Sequence, residues 1–181
     1  MKHAERILAA ASKLFYEQGI RAVGVDTVAA EAGVSKRTLY NHYPSKDALI
    51  AAYLTARFQL LPPSDKPARE QLLGNFDRLE RMFRSGAFRG CPYVNAVTEL
   101  GDPKHAAAAI AVQFKEQRRL WFRGLLERLE VADPDALATQ LQILNEGATA
   151  TMLVRGDPAV AREARAAASA LLDSALKRKK T

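Results

Sequence analysis

Seven donor-rich side chains fall within eleven consecutive positions of this chain: Lys36, Arg37, Thr38, Tyr40, Asn41, His42 and Lys46. They supply ammonium, guanidinium, hydroxyl, amide and imidazole groups, and no carboxylate interrupts them. That chemistry suits nucleic acid. Lys and Arg donate to guanine O6 and N7, and Asn pairs bidentately with adenine. Cations and hydroxyls at the flanks hold phosphate without reading sequence. Taken alone, Lys36 and Arg37 read as a solvated helix face. The segment around them reverses that reading.

Val25–Ala32 and Ser35–Tyr43 each have the composition of a short helix, and Ala32–Gly33–Val34–Ser35 lies between them. Gly33 can adopt the left-handed conformation that ends one helix, and Ser35 can cap the next. The second helix is too short to hold a core. Leu39 and Val34 are expected to face the first helix, which leaves the donors outward. The pattern is a helix-turn-helix. Thr27, near the start of the first helix of the pair, adds a hydroxyl for a phosphate. Tyr40 is expected to pack its ring on the module and direct its hydroxyl to phosphate.

Other chemistries find no support. His42 has no second ligand at metal spacing, because His3 and His105 are remote in sequence, so neither a metal nor a cofactor is expected. No nucleophile–base pair, phosphate loop or pair of catalytic carboxylates stands out, and an enzyme is not expected. The single cysteine, Cys91, excludes a disulfide framework within the chain. Cys91 reads first as a small buried or cap residue and second as a redox-sensing thiol at a helix start.

The net charge of +7 is unevenly placed. Residues 1–60 hold 8 Lys/Arg and 5 Asp/Glu, residues 61–176 hold 15 of each, and Lys177–Arg178–Lys179–Lys180 supplies the remaining +4. A basic module on a neutral body suits an anionic partner at one end. No apolar run approaches the ~18–20 residues of a membrane span. Glu5, Lys13 and Glu17 interrupt the N-terminal segment at helical spacing, so neither a signal peptide nor a membrane partner is expected. A reducing cytoplasm is the expected compartment.

Punctuation is helical throughout, and the expected fold class is all-α with about nine helices. Ala4–Gln18 carries one apolar stripe, and Ser45 opens a helix whose apolar face includes Leu49, Ile50, Tyr53, Leu54 and Phe58. Leu61–Pro62–Pro63 marks the boundary between a module of residues 1–60 and a body of residues 61–181. In the body, helices are expected near 67–85, 92–100, 103–130, 134–155 and 158–177. The last three each begin at Asp-Pro, an N-cap acceptor before a first-turn proline: Asp102–Pro103, Asp133–Pro134 and Asp157–Pro158. Phe76, Phe83, Cys91, Tyr93, Asn95, Gln113 and Trp121 are candidates for a ligand pocket of aromatics with a few polar groups, and each taken singly reads at least as well as ordinary core. Leu144, Ala148, Met152, Ala164, Ala168 and Leu171 are candidates for a dimer seam, with packing inside the chain as the second reading. Arg118 and Arg119 read as a solvated face before an anion site.

The run GIRAVGVDTVAAEAGVSKRTLYNHYPSKDALIAAYL resembles the DNA-binding domain of the TetR (tetracycline-repressor) family of bacterial regulators. The matching features are Phe15 and Gly19 at the end of the first helix, Ala32–Gly33–Val34–Ser35, Thr38–Leu39–Tyr40, His42, and Ser45–Lys46. Arg89–Gly90–Cys91–Pro92 is similar to a segment of one branch of such regulators. The resemblance implies a homodimer on a palindromic operator in double-stranded DNA, released by a small-molecule effector held in the body. It implies base-facing roles for Lys36, Arg37 and Thr38, and phosphate roles for Tyr40, His42 and Lys46. Asn41 matches a position that reaches a base edge or phosphate. Val23–Gly24 departs from the pattern, where a hydroxyl residue is common. The expected function is sequence-specific regulation of transcription, most often repression, in a bacterial cytoplasm and on the nucleoid when bound. The alternative is a helical DNA- or ligand-binding protein without operator control.

Overall fold

The computed structural model describes residues 2–58 and 64–178. The Leu61–Pro62–Pro63 boundary and Lys179–Lys180 of the basic tail lie outside them. Among the described residues the regular elements are all helical: α1 His3–Gln18, α2 Val25–Glu31, α3 Lys36–His42, α4 Lys46–Ala56, α5 Ala68–Arg84, α6 Pro92–Leu100, α7 Ala106–Arg128, α8 Pro134–Arg155 and α9 Val160–Arg178. None of these helices is long and apolar enough to cross a membrane.

Local chemistry sets the boundaries. Ser35 Oγ accepts from Thr38 N–H at 3.0 Å and starts α3, and Ser45 Oγ accepts from Ala48 N–H at 3.0 Å and starts α4. The three Asp-Pro starts do not all work alike. Asp133 is a true N-cap, accepting from Ala136 N–H at 3.0 Å with Pro134 in the first turn of α8. Asp102 and Asp157 instead accept from the N–H two residues on, Lys104 at 2.8 Å and Ala159 at 2.9 Å. Those bonds close Asx-turns, and α7 and α9 begin only after them. At α7 the next acceptor is His105 Nδ1, which takes Ala107 N–H at 3.0 Å.

The chain forms two compact units. One comprises Met1–Gln59 with Cys91–Phe114, the other Leu60–Gly90 with Lys115–Thr181. Residues 91–114, placed with the body by the proline boundary, thus pack with the N-terminal module, and α7 is divided between the units. The first core is built on Ile7, Leu14 and Phe15 of α1, Leu39 of α3 and Leu49, Ile50, Tyr53 and Leu54 of α4, with Tyr93 and Ala96 of α6 and Ala107 of α7. Tyr93 fixes α6 there: its ring stacks on Phe114 at 4.0 Å, and its hydroxyl donates to Leu54 O at 3.2 Å. Arg21 adds a polar tie, its backbone N–H donating to Glu99 Oε2 at 3.0 Å. The second core joins α5, the later part of α7, α8 and α9 around Leu72, Phe76, Phe122, Leu126, Leu141, Ala168 and Leu172.

Candidate nucleic-acid interface

Ala32 ends α2, Gly33 stands at φ +62°, and Ser35 opens α3. Arg6 of α1 reaches this turn with its guanidinium, Nη2 donating to the carbonyls of Ala32 and, at 3.1 Å, of Gly33. One side chain thereby satisfies carbonyls that the end of α2 leaves without helical partners. A Cβ on Gly33 would lie 2.5 Å from that Nη2. Gly33→Ala is therefore expected to cost about 1–2 kcal/mol from the left-handed backbone alone. Displacement of Arg6 adds to that. Thermal unfolding followed by circular dichroism should show a midpoint lowered by roughly 2–8 °C.

Leu39 anchors α3 with 0% exposure, and Val34 packs beside the same core. Lys36, Arg37, Tyr40, Asn41 and His42 on the same helix are all exposed, with Tyr40 at 39%. Thr27 is exposed on α2, and Lys46 is half-buried at the start of α4. Six of the eight donors predicted from the sequence are thus exposed, and Lys46 and Thr38 are half-buried. Thr38 departs from that group. It is half-buried, and its hydroxyl lies 2.9 Å from Ser35 Oγ within the cap. Gly24 precedes α2 and offers no side-chain cap, so Thr27 provides the exposed hydroxyl on that helix.

Lys36 pairs with Asp26 of α2 at 3.0 Å, both side chains being exposed. The hydrogen bond to Asp26, and then its charge, holds the ammonium above its ordinary pKa. Lys36 stays charged across physiological pH either way. An exposed pair is worth about 0–1 kcal/mol, so phosphate can displace Asp26 at small cost. Asp26→Asn removes the competitor and is expected to tighten DNA binding by about 2–5-fold at low salt. A salt titration by fluorescence anisotropy should show the gain shrinking as salt rises.

The pocket candidates divide between the units. Phe76 and Phe83 are buried in the second core, whereas Tyr93 is buried in the first and Cys91 packs against it. Asn95 is half-buried on α6, and Gln113 is exposed on α7. A cleft of about 640 Å³ opens along α5 in the second unit, and Trp121 is the one member of that set lining it. The second core also holds a pair of buried amides that no sequence motif marks. Asn75 donates to Asn145 Oδ1 at 2.9 Å, and both are buried. Their signal was an amide standing at the spacing of Leu72, Phe76 and Leu79 on α5, and of Leu141 and Ala148 on α8.

The seam candidates are largely used within the chain. Ala148, Ala164 and Ala168 are buried in the second core, and Leu144, Met152 and Leu171 pack against it. A different stripe of α8 faces outward: Ile143 at 64% exposure, Gly147, Ala150 and Val154 at 87%. The outward stripe lies about one residue, or 100°, around the helix from the candidate one.

Comparison with known proteins agrees with this geometry. The family model for bacterial regulatory proteins of the tetR family matches residues 7–53. The HTH-type transcriptional regulator YjdC of Escherichia coli (strain K12) is 30% identical over 158 residues, which span 83% of each chain. The crystal structure of a TetR-type transcriptional regulator (sav143) from Streptomyces avermitilis superposes with a TM-score of 0.87 at 36% identity, covering 97% of this chain and 98% of that one. SCO4454, a TetR-family transcriptional regulator from Streptomyces coelicolor, gives 0.86 at 31% identity over 96% of each.

Proposed function

This chain belongs to the TetR family of bacterial regulatory proteins, DNA-binding helix-turn-helix regulators of transcription, and from that premise we propose that it is a homodimeric repressor of a palindromic operator, released by a small-molecule effector. The observation that carries the operator reading is the outward face of α3, where Lys36, Arg37, Tyr40, Asn41 and His42 are exposed above a fully buried Leu39. In this reading Lys36, Arg37 and Asn41 address base edges, while Tyr40, His42, Lys46 and Thr27 hold phosphates. Thr38 acts through the cap that sets the start of α3.

We assign DNA binding to residues 1–60 and ligand sensing and dimerisation to residues 61–181. Within the latter, residues 91–114 brace the DNA-binding core. Dimerisation is assigned to the outward stripe of α8. Two copies are needed because one module offers few cations, and two recognition helices ~34–36 Å apart match successive major grooves. A ligand lowers operator affinity only by favouring an arrangement in which that spacing is lost. Because α7 contributes to both cores, a ligand that repacks residues 115–128 acts on a helix whose first turns lie in the DNA-binding unit. The place of action is the bacterial cytoplasm.

Selection of bound sequences from a genomic fragment pool tests the proposal. The expected product is an inverted repeat, bound at fixed salt far more tightly than its scrambled form. Equal affinity for both would sink the operator reading.

A further inference from the structure

The cleft along α5 in the second unit carries an excess of positive charge. Its lining includes Lys66, Arg69, Arg78, Arg81 and Arg165, with Glu70 and Asp77 as the acidic side chains. Both acids are already engaged, Glu70 with Lys66 at 2.6 Å and Asp77 with Arg165 at 2.9 Å. Arg69 turns to Asp173 at 2.7 Å. Arg78 is left over: its Nη2 is buried and has no hydrogen-bond partner among the described residues. Burial, and then repulsion from Arg118 and Arg81, hold the Arg78 guanidinium below its ordinary pKa, with Asp77 alone opposing. Nη2 itself is closed off, so an anion in the cleft meets the rest of the Arg78 side chain, which lines the wall beside the exposed Arg81 and adds to a cationic lining that the engaged acids do not neutralise. Trp121 and Leu73 give the same cleft an apolar wall.

We propose that this cleft binds a small organic anion, a carboxylate or phosphate attached to a flat apolar group, with the anion on Arg78 and Arg81 and the flat group against Trp121. Guanidinium groups match both anions in geometry and hydrogen-bond donors. The volume of about 640 Å³ suits a ligand of that size. Only the regulatory consequence rests on the proposed ligand control of operator binding; occupancy of the cleft is read separately.

Trp121 is the sole tryptophan of the sequence, so its emission reports on the cleft directly. The full-length protein is titrated with benzoate, phenyl phosphate and benzyl alcohol at matched ionic strength. A saturable change with at least one anion and none with benzyl alcohol is expected, and the anion that responds identifies the headgroup. Arg78→Gln should weaken that binding about ten-fold or more. Arg81→Gln, at an exposed position with little risk to folding, should weaken it several-fold. No saturable response to either anion, an equal response to benzyl alcohol, or unchanged affinity in both variants would overturn the proposal. If an anion binds as described but operator affinity does not change, the site stands and ligand release through it falls.

Discussion

Arg37→Ala is expected to lower operator affinity by about 30-fold or more while leaving thermal unfolding unchanged. The two halves of that expectation have separate causes. Arg37 is exposed on α3 and enters no ion pair among the described residues, so its removal takes nothing from the folded module. On DNA, a bidentate guanidinium–guanine contact is worth about 1–3 kcal/mol, and a dimer makes it twice. The doubled loss, ~2–6 kcal/mol, corresponds to roughly 30- to 10⁴-fold. Electrophoretic mobility shift on the selected operator and on scrambled DNA measures it, and the specific complex should suffer far more. Leu39→Ala is the contrasting variant. It empties a fully buried position in the same helix and should lose about 2–5 kcal/mol of stability. Lys46→Ala should instead weaken binding to all sequences and flatten the salt dependence, as loss of a phosphate contact does. If Arg37→Ala binds the operator like the parent protein, the base-reading role of α3 is wrong.

Val154→Glu is expected to separate the proposed dimer and, with it, to abolish tight binding to the selected DNA. Ile143, Gly147, Ala150 and Val154 recur at intervals of four, three and four residues, so they form one stripe along α8. Val154 is 87% exposed in the single chain, and Leu153 beside it is also exposed. A Cβ on Gly147 would meet nothing within 4 Å, so packing inside the chain does not require glycine there. A partner helix approaching closely would. In a two-fold interface each substitution occurs twice. Burying an unpaired polar group costs about 1–3 kcal/mol and a charge more, so dimerisation should weaken by at least 30-fold. Analytical ultracentrifugation at micromolar protein reads the shift to monomer, with helical content unchanged by circular dichroism. Ala168→Glu serves as the opposite control, because that position is buried within the chain and the variant should unfold rather than dissociate cleanly. A Val154→Glu protein that remained a dimer would place the seam elsewhere.

The features legible in the sequence are those governed by neighbours along the chain. The helix starts at Ser35, Ser45 and Asp133, the left-handed turn at Gly33, and the donor set from Lys36 to His42 depend on contacts within a few residues. A 3.6-residue period, a capping hydroxyl and a glycine suffice to define them, and the family resemblance rests on the same local segment. Where local cues misled, a competing local bond was responsible. Asp102 and Asp157 close Asx-turns instead of capping helices.

The remaining features depended on which helices lie side by side, and no period along one helix contains that information. Tyr93 reads equally well as pocket or core until Phe114 is stacked on it and Leu54 accepts its hydroxyl. Asn75 donates to Asn145, 70 residues away, and Arg118 donates to both side-chain oxygens at 3.4 Å, only because α5, α7 and α8 meet. On α8 the apolar pattern is broad enough to cover two faces. Packing against α5 and α9 consumed Ala148 and left Ile143 and Val154 outward. Arg78 is one of many arginines in the sequence, and its burial without a partner exists only in the cleft along α5. Chain-local chemistry determined the helices and the helix-turn-helix. Tertiary packing decided which faces and charges remained available to a partner or a ligand, because that depends on what each helix has already buried.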